Sequence, residues 1–465
     1  MTGRRRSSPR HFPRASATAA AACTAVIASL LSGCGSLPGA GSGEQEPVTV
    51  MTWAPEDTRT TNMPGMPAMA QAYARWVNSR GGIAGHPLKV LTCNERNDSV
   101  EAARCAQRAV DAGAVAVVGS YSQWGRSFMS PLEVAGIPFI GGYGASAEEF
   151  SSPLSYPVNG GQAALLAGNG RQLAADCRRV ALVRPDTIQG DQMPALLDAG
   201  LGGGRGGERG GGSTSGAGAG TGGSRGRAAD IKAPETGTDY SPQVAAALEA
   251  VGADPARYGT AKAGGEAPGS CVAASLGDST DTFFDSFRRL QESSPKVQIG
   301  SVLGSVDQSM VNRSGGVSGP LEGADVTGWY PAAGDPRWAP MRRVITQEAF
   351  DDNRIDPADQ GVQTTWIAYT VLRAVIQQLA DQGVEDITAH ALQTALDRGD
   401  RTIDTGGLTP MLRWRDDDML AVTDFPRIVN ADVTYQVVRH GQLVAAQEGF
   451  VDVAATLERR PTDDD

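Results

Sequence analysis

Residues 48–140 carry seven short segments in alternation: VTVMTW (48–53), MPAMAQAYARWVNS (66–79), LKVLT (88–92), SVEAARCAQRAVDA (99–112), VAVV (115–118), SFMSPLEVA (127–135) and PFI (138–140). The first, third, fifth and seventh are short, apolar and rich in β-branched residues, and read as strands. In the second, Met66, Met69, Ala70, Tyr73 and Val77 recur at helical spacing. Gly81-Gly82 then stops that helix, as glycine does past a helix C-terminus. Asp98 or Ser99 suits the N-cap of the fourth segment. VAVV fits a strand buried on both faces, and Pro131 weighs against a long helix in the sixth segment. This rhythm predicts a parallel sheet covered by helices on both faces.

The same rhythm resumes beyond Tyr156-Pro157. Helices are expected over Gln162–Ala175, Gln243–Ala250 and Thr280–Gln291, with strands over Val180–Val183, Cys271–Ser275 and Gln298–Leu303. Two α/β units separated by a break imply two lobes. The last third offers one strong helix, Gln363–Leu379, and a tail, Tyr435–Val451, that reads as strands joined by a turn at His440-Gly441. Residues 200–227 are Gly/Ser/Arg-rich and cannot bury enough apolar area to offset their ordering entropy, so disorder is expected there. Loop closure costs grow only logarithmically with length, so a surface loop of the second lobe can carry such an insertion.

The N-terminus sets the compartment. Arg4, Arg5, Arg6, Arg10 and Arg14 precede an apolar run from Ala15 to Leu31 that is too short to span a bilayer comfortably. The pattern fits a secretory signal over residues 1–33. Leu31-Ser32-Gly33-Cys34 resembles a bacterial lipobox, which implies cleavage before Cys34 and lipid on its thiol and new amino group. Residues 34–46 then form a Gly/Ser/Pro-rich tether. Multiple acylation meets the requirement for stable anchoring on the outer face of the cell membrane. Arg5-Arg6 leaves both the general secretory and the twin-arginine routes open.

Loss of this leader would take five positive charges from a chain of net charge -11, leaving -16. An acidic surface without a basic stripe disfavours nucleic acid as a partner. Of six cysteines, Cys23 leaves with the leader and Cys34 takes lipid. Cys93, Cys105, Cys177 and Cys271 remain, and in an exported chain they favour two disulfides with three possible connectivities. None has metal-ligand spacing, so no metal or other cofactor is expected.

Five local motifs, in order, resemble the branched-chain amino-acid (Leu/Ile/Val) binding proteins of ABC transporters. Asn78-Ser79-Arg80-Gly81-Gly82-Ile83-Ala84-Gly85 resembles their N-x-x-G-G-I-x-G joint, followed by a strand like His86–Val90. Ala114–Gly119 is similar to their V-x-A-V-V-G strand end, and Ala135-Gly136-Ile137-Pro138 to their A-G-I-P entry. Thr238–Val244 is similar to T-D-F/Y-S-x-Q-V. The resemblance implies a periplasmic-binding-protein type I fold: two Rossmann-like α/β lobes with parallel sheets, three hinge crossovers and a ligand in the cleft. It places residues 47–157 plus about 305–420 in lobe 1, and 158–304 plus about 421–465 in lobe 2. It also supports pairing Cys93 with Cys105 and Cys177 with Cys271. The shorter bridge would contribute about 3 kcal/mol and the longer somewhat more by loop entropy.

In such a fold ligands sit beyond the carboxyl ends of the strands. The resemblance points to two loops of lobe 1. From Ser120–Gly125 it selects Ser122, Gln123 and Trp124, with hydroxyls and N–H groups near a helix N-terminus and an apolar wall. From Gly142–Ser146 it selects Tyr143, Gly144 and Ser146, although Ser146 also suits a helix cap. In lobe 2, Asp278 would pair with a ligand ammonium or else cap the helix starting near Thr280. The loops Trp53–Asp57 and Arg184–Gln189 lack the family's usual threonine-glycine and tyrosine-glycine pairs, which weighs against a branched-chain amino acid. The expected function is a monomeric, extracytoplasmic solute-binding lipoprotein that captures a small polar ligand, an amino acid or related compound, by hinge closure and docks on a membrane permease. A sensory module would use the same cleft. A serine hydrolase is the enzymatic rival, but Gly119-Ser120-Tyr121-Ser122-Gln123 lacks the last glycine of a nucleophile elbow. His86, His390 and His440 are read as structural or solvated, and no catalytic residue is expected.

Overall fold

The computed structural model describes residues 45–203, 226–253, 266–292, 294–422 and 424–458. The expected leader, Cys34, residues 34–44 of the tether and residues 204–225 of the glycine-rich segment lie outside them. The chain opens with β1 (Val48–Ala54), α1 (Gly65–Asn78), β2 (Leu88–Asn94), α2 (Ser99–Asp111), β3 (Ala116–Val118), α3 (Gly125–Ala135), β4 (Phe139–Ile140) and β5 (Ser155–Tyr156). These strands form one parallel sheet in the order β2-β1-β3-β4-β5. Strand order reverses between β1 and β3, so a switch point lies at their carboxyl ends.

Local chemistry explains the boundaries. Asp98 accepts hydrogen bonds from Val100 N and Glu101 N (2.9 and 3.1 Å) and starts α2. The helix α3 passes through Pro131 without a break. In the joint after α1, the Asn78 side chain grips Leu88 twice, Nδ2 donating to its carbonyl (2.9 Å) and Oδ1 accepting from its N–H (2.8 Å), which fixes where β2 begins. Cys93, in β2, is bonded to Cys105 in α2 across a Cα separation of 5.7 Å.

The chain then builds a second sheet through α4 (Gly161–Ala174), β6 (Arg179–Pro185), α5 (Met193–Gly203), β7 (Ala229–Ala233), α6 (Ser241–Ala250), β8 (Glu266–Ala274), α7 (Thr280–Gln291), β9 (Lys296–Val302), α8 (Gln308–Arg313) and β10 (Asp325–Gly328). Cys177 and Cys271 are bonded, with their Cα atoms 5.8 Å apart. Helix α5 reaches into the segment expected to be disordered: Gly200–Gly203 are helical. The reason is close helix packing. A Cβ on Gly200 would lie 2.2 Å from the Ala167 carbonyl oxygen, and one on Gly170 2.2 Å from that of Leu197. Glycine here lets α4 and α5 touch backbone to backbone.

β10 pairs with β9 in parallel, so the chain stays with the second sheet up to Gly328 rather than leaving it at Ser305. It then crosses to the first lobe and forms α9 (Ala339–Glu348), α10 (Gln360–Asp381) and α11 (Ala389–Arg398). Asp359 caps α10 through Val362 N (2.8 Å). This helix is buried along most of its length against the first sheet. Tyr369 Oη meets Thr52 Oγ1 (2.8 Å), and Thr365 Oγ1 donates to the Gly119 carbonyl (3.0 Å). After a second return the chain ends with β11 (Asp432–Arg439), β12 (Gln442–Ala445), β13 (Val451–Asp452) and α12 (Ala454–Glu458). These three strands pair antiparallel at one side of the second sheet, whose main path runs β12-β11-β10-β9-β8-β6-β7. The turn at His440-Gly441 has both φ values positive, 54° and 68°, as a tight hairpin requires.

Three crossovers join the lobes, near Val158-Asn159, Trp329-Tyr330 and Asn430-Ala431, and they are tied to one another. Asn159 Nδ2 donates to Tyr330 Oη (2.9 Å), Asn430 Nδ2 to the Val158 carbonyl (3.0 Å), and Thr434 Oγ1 to the Tyr330 carbonyl (2.7 Å).

Candidate functional site

A cleft of ≈1110 Å³, including its solvent-facing mouth, lies between the two sheets at the carboxyl ends of their strands. Lobe 1 supplies Thr60, Thr61 and Met63 after β1, Tyr121 and Gln123 after β3, and Tyr143, Gly144 and Ala145 after β4. Lobe 2 supplies Gln162 and Leu165 from α4, Pro185 from the end of β6, and Thr187 and Gln189 after it. It adds Glu235 after β7, Ser275–Ser279 after β8, and Leu303–Ser305 after β9. Trp329 follows β10 and stands at a crossover.

Four residues singled out from the sequence line this cleft: Gln123, Tyr143, Gly144 and Asp278. Three do not. Ser122 is fully buried: its Oγ donates to Glu95 Oε2 (3.0 Å) and accepts from Trp124 N (3.1 Å). It ties the β3 loop to the end of β2 and to the start of α3. Trp124 is 38 % exposed and lies outside the cleft. Ser146 forms a capping box with Glu149, the helical role the sequence allowed it. Tyr121, Thr187 and Gln189 sit in loops the sequence had marked, but were not chosen within them. Trp329 had no sequence signal, because the four residues of β10 before it, Asp-Val-Thr-Gly, hold no apolar run.

Buried carboxylates shape the lobe 1 loops. Glu149 is 1 % exposed, and its carboxylate accepts from Gly144 N, Ala145 N and Ser146 N (2.9 Å each) and from Ser146 Oγ (3.1 Å). Desolvation outweighs these donors and pushes its pKa up to about 7. Glu95, likewise raised to about 7 by burial, accepts from Ser122 Oγ and from Asn97 N (3.0 Å). The aromatic residues form a chain: Tyr121 meets Tyr143 edge to face at 5.1 Å between ring centroids, and Tyr143 meets Trp329 at 5.2 Å. Burial raises both phenols well above the usual tyrosine range. Trp329 Nε1 donates to the Gly161 carbonyl (2.8 Å), which fixes its ring.

Across the cleft the lobes already touch at the rim. Gln189 Nε2 donates to the Gln123 carbonyl (3.0 Å), and Asn62 N donates to Asp278 Oδ2 (3.3 Å). Ser309 Oγ donates to Asp356 Oδ2 (2.9 Å). Gly304, at φ 94°, comes so close that a Cβ there would lie 2.6 Å from Tyr143 Oη. Asp278 stands at the mouth, with much of its surface in solvent, yet surrounding protein atoms crowd its carboxyl enough to raise its pKa. It caps no helix by a side-chain hydrogen bond.

A family model described as periplasmic binding protein matches residues 58–425. The chain belongs to the periplasmic binding protein family. No curated protein matches the sequence, but solved structures share the fold at low identity. A possible leucine/isoleucine/valine-binding protein from Rhodopirellula baltica is 11 % identical, with a TM-score of 0.65 over 87 % of this chain and 97 % of that one. A fatty acid ABC transporter substrate-binding protein from Thermomonospora curvata is 15 % identical, with a TM-score of 0.63 over 90 % and 95 %. A solute binding protein from Rhodopseudomonas palustris, in complex with 3,4-dihydroxy benzoic acid, is 13 % identical, with a TM-score of 0.62 over 88 % and 97 %. The fold is that of a type I periplasmic binding protein, two α/β lobes with largely parallel sheets. The three histidines of the described chain stay out of this binding protein's cleft: His86 is buried with Nδ1 on the Glu46 carbonyl (2.9 Å), and His390 and His440 are exposed.

Proposed function

We propose that this protein is the solute-capturing component of an ABC importer, held outside the membrane by lipid on Cys34, and that it closes its two lobes on a small polar ligand. The observation that carries this reading is the cleft itself. Every lining loop follows a strand, and both lobes contribute polar groups that a single small molecule can touch only when the lobes are near. A ligand bridging the lobes stabilises the closed arrangement by its differential affinity for it. The knot of crossovers at Asn159, Tyr330 and Asn430 is where the backbone would bend. The closed face, with Gln123–Gln189 and Asn62–Asp278 brought together, is then what a permease would read. Residues 34–46 serve as the tether, and the bound form acts as a monomer.

Two measurements test this. Cells fed a labelled fatty acid should incorporate it into the wild-type protein and not into Cys34→Ala. The purified protein with its ligand should stimulate the ATPase of its reconstituted permease, and the protein without ligand should not. Stimulation that ignores ligand would remove the importer reading.

A further inference from the structure

We propose that this cleft selects an organic cation, a protonated or quaternary amine seated against Tyr121, Tyr143 and Trp329 with Asp278 as its counter-ion. The proposal rests on the solute-binding reading above and narrows its ligand class. The first support is the charge of the lining. Among the described residues, Glu235 and Asp278 are the charged side chains that line the cleft, and no arginine, lysine or histidine does. Two of the nearby arginines are already engaged. Arg184 is turned into Asp191 and Asp230 (2.7 Å to each), and Arg313 into Asp281 (2.8 Å). A ligand carboxylate would therefore meet two like charges at the mouth and no cationic side chain within.

The second support is the fate of the backbone donors. Three successive N–H groups at a strand-end loop are a ready anion site. Here those of Gly144, Ala145 and Ser146 all point to the Glu149 carboxylate. An external anion would have to displace a carboxylate that is part of the fold. The third support is the aromatic chain, whose electron-rich faces attract cations, most strongly where water is excluded. Tyr121 and Tyr143 are each 8 % exposed and Trp329 2 %, and all three line the cleft. Asp278 accepts only a 3.3 Å backbone hydrogen bond, from Asn62, and no cationic side chain of the described chain pairs with it. Its raised pKa agrees with a carboxylate crowded by protein and lacking a partner.

The test uses the full-length protein in detergent and probes of one carbon skeleton: isopentylamine, isopentanol and isovalerate, with choline as a fixed charge. Calorimetry and melting temperature should show binding by isopentylamine and choline, and none by isovalerate. Asp278→Asn should weaken both cations about tenfold or more while leaving the unliganded melting temperature unchanged. Tyr143→Leu should weaken choline more than isopentylamine, because a quaternary ammonium has no N–H to give Asp278. Silence of both cations, tighter binding of isovalerate, or an Asp278→Asn variant with unaltered cation affinity would overturn the proposal. Isovalerate binding with lobe closure would leave the clamp standing and remove only the cation. Cation binding without closure would do the reverse.

Discussion

Two carboxylates, Glu149 behind the lobe 1 loop and Asp278 at the mouth of the cleft, are built in opposite ways. In the lobe 1 loop, Glu149 is buried and saturated: three N–H groups and a hydroxyl converge on it. In the lobe 2 turn, Asp278 stands at the mouth with a single long hydrogen bond to Asn62. Glu149 is a scaffold group, and its oxygens are committed to holding Tyr143, Gly144 and Ala145 in place. Asp278 is committed to nothing in its own lobe, and its one bond reaches across to the other. The contrast separates residues that shape a binding surface from those free to meet a ligand, and it can be broken or sharpened by substitution.

The largest expected effect is at Glu149. Replacing it with alanine leaves three N–H groups, two of them at buried residues, without an acceptor, and each such buried loss costs about 1–3 kcal/mol. Denaturant unfolding of Glu149→Ala should therefore show a loss of about 3 kcal/mol. A loss below about 1 kcal/mol would mean the loop does not depend on this carboxylate. Glu149→Gln, which keeps one accepting oxygen, should fall between.

Next comes Gly304. Alanine there must adopt φ near 94° and place a methyl against Tyr143 Oη. Gly304→Ala should cost about 1 kcal/mol of stability and reduce ligand affinity by more than that cost, because the clash exists only when the lobes are together. Calorimetry beside an unfolding curve separates the two, and equal losses would place the effect within one lobe.

Stability should also depend on pH. Glu95 and Glu149 have folded pKa values raised from 4.5 to about 7. The folded protein thus holds protons that the unfolded chain releases between those values. The stability this contributes is fully present below about 4.5 and is lost as pH rises through about 7. The melting temperature should fall across that window, and Glu149→Gln should flatten the fall. A rising profile would contradict the sign. The smallest effect is at Asp278: the solvent-facing Asp278→Asn change should alter unliganded stability by no more than about 0.5 kcal/mol, the opposite of Glu149.

The same contrast marks what the sequence could convey. The first lobe was legible because its strands are β-branched runs and its helices carry one apolar stripe, as in 66–79. β10 was not: Asp325–Gly328 is short and mixed, and its pairing with β9 is a long-range event that local pattern cannot announce. Missing it moved the expected return to lobe 1 from beyond Gly328 back to Ser305. Helix α5 was hidden in the same way, because Gly200 reads as loop until α4 is laid against it. Within the cleft, the loops after β3 and β4 were visible, but the direction of each side chain was not. Ser122 turns away because Glu95, distant in sequence and adjacent in space, takes its hydroxyl. Tyr121 beside it faces the ligand space instead. The four cysteines alone left three connectivities open, and the pairing found, Cys93–Cys105 and Cys177–Cys271, is the one the family resemblance supported.

The central claim is that two hinged lobes shut on a small solute, and small-angle scattering of the full-length protein tests it most directly. As a ligand is titrated, the radius of gyration should fall and saturate in step with calorimetric occupancy. A tightly bound ligand that leaves the radius unchanged at saturation would contradict the account.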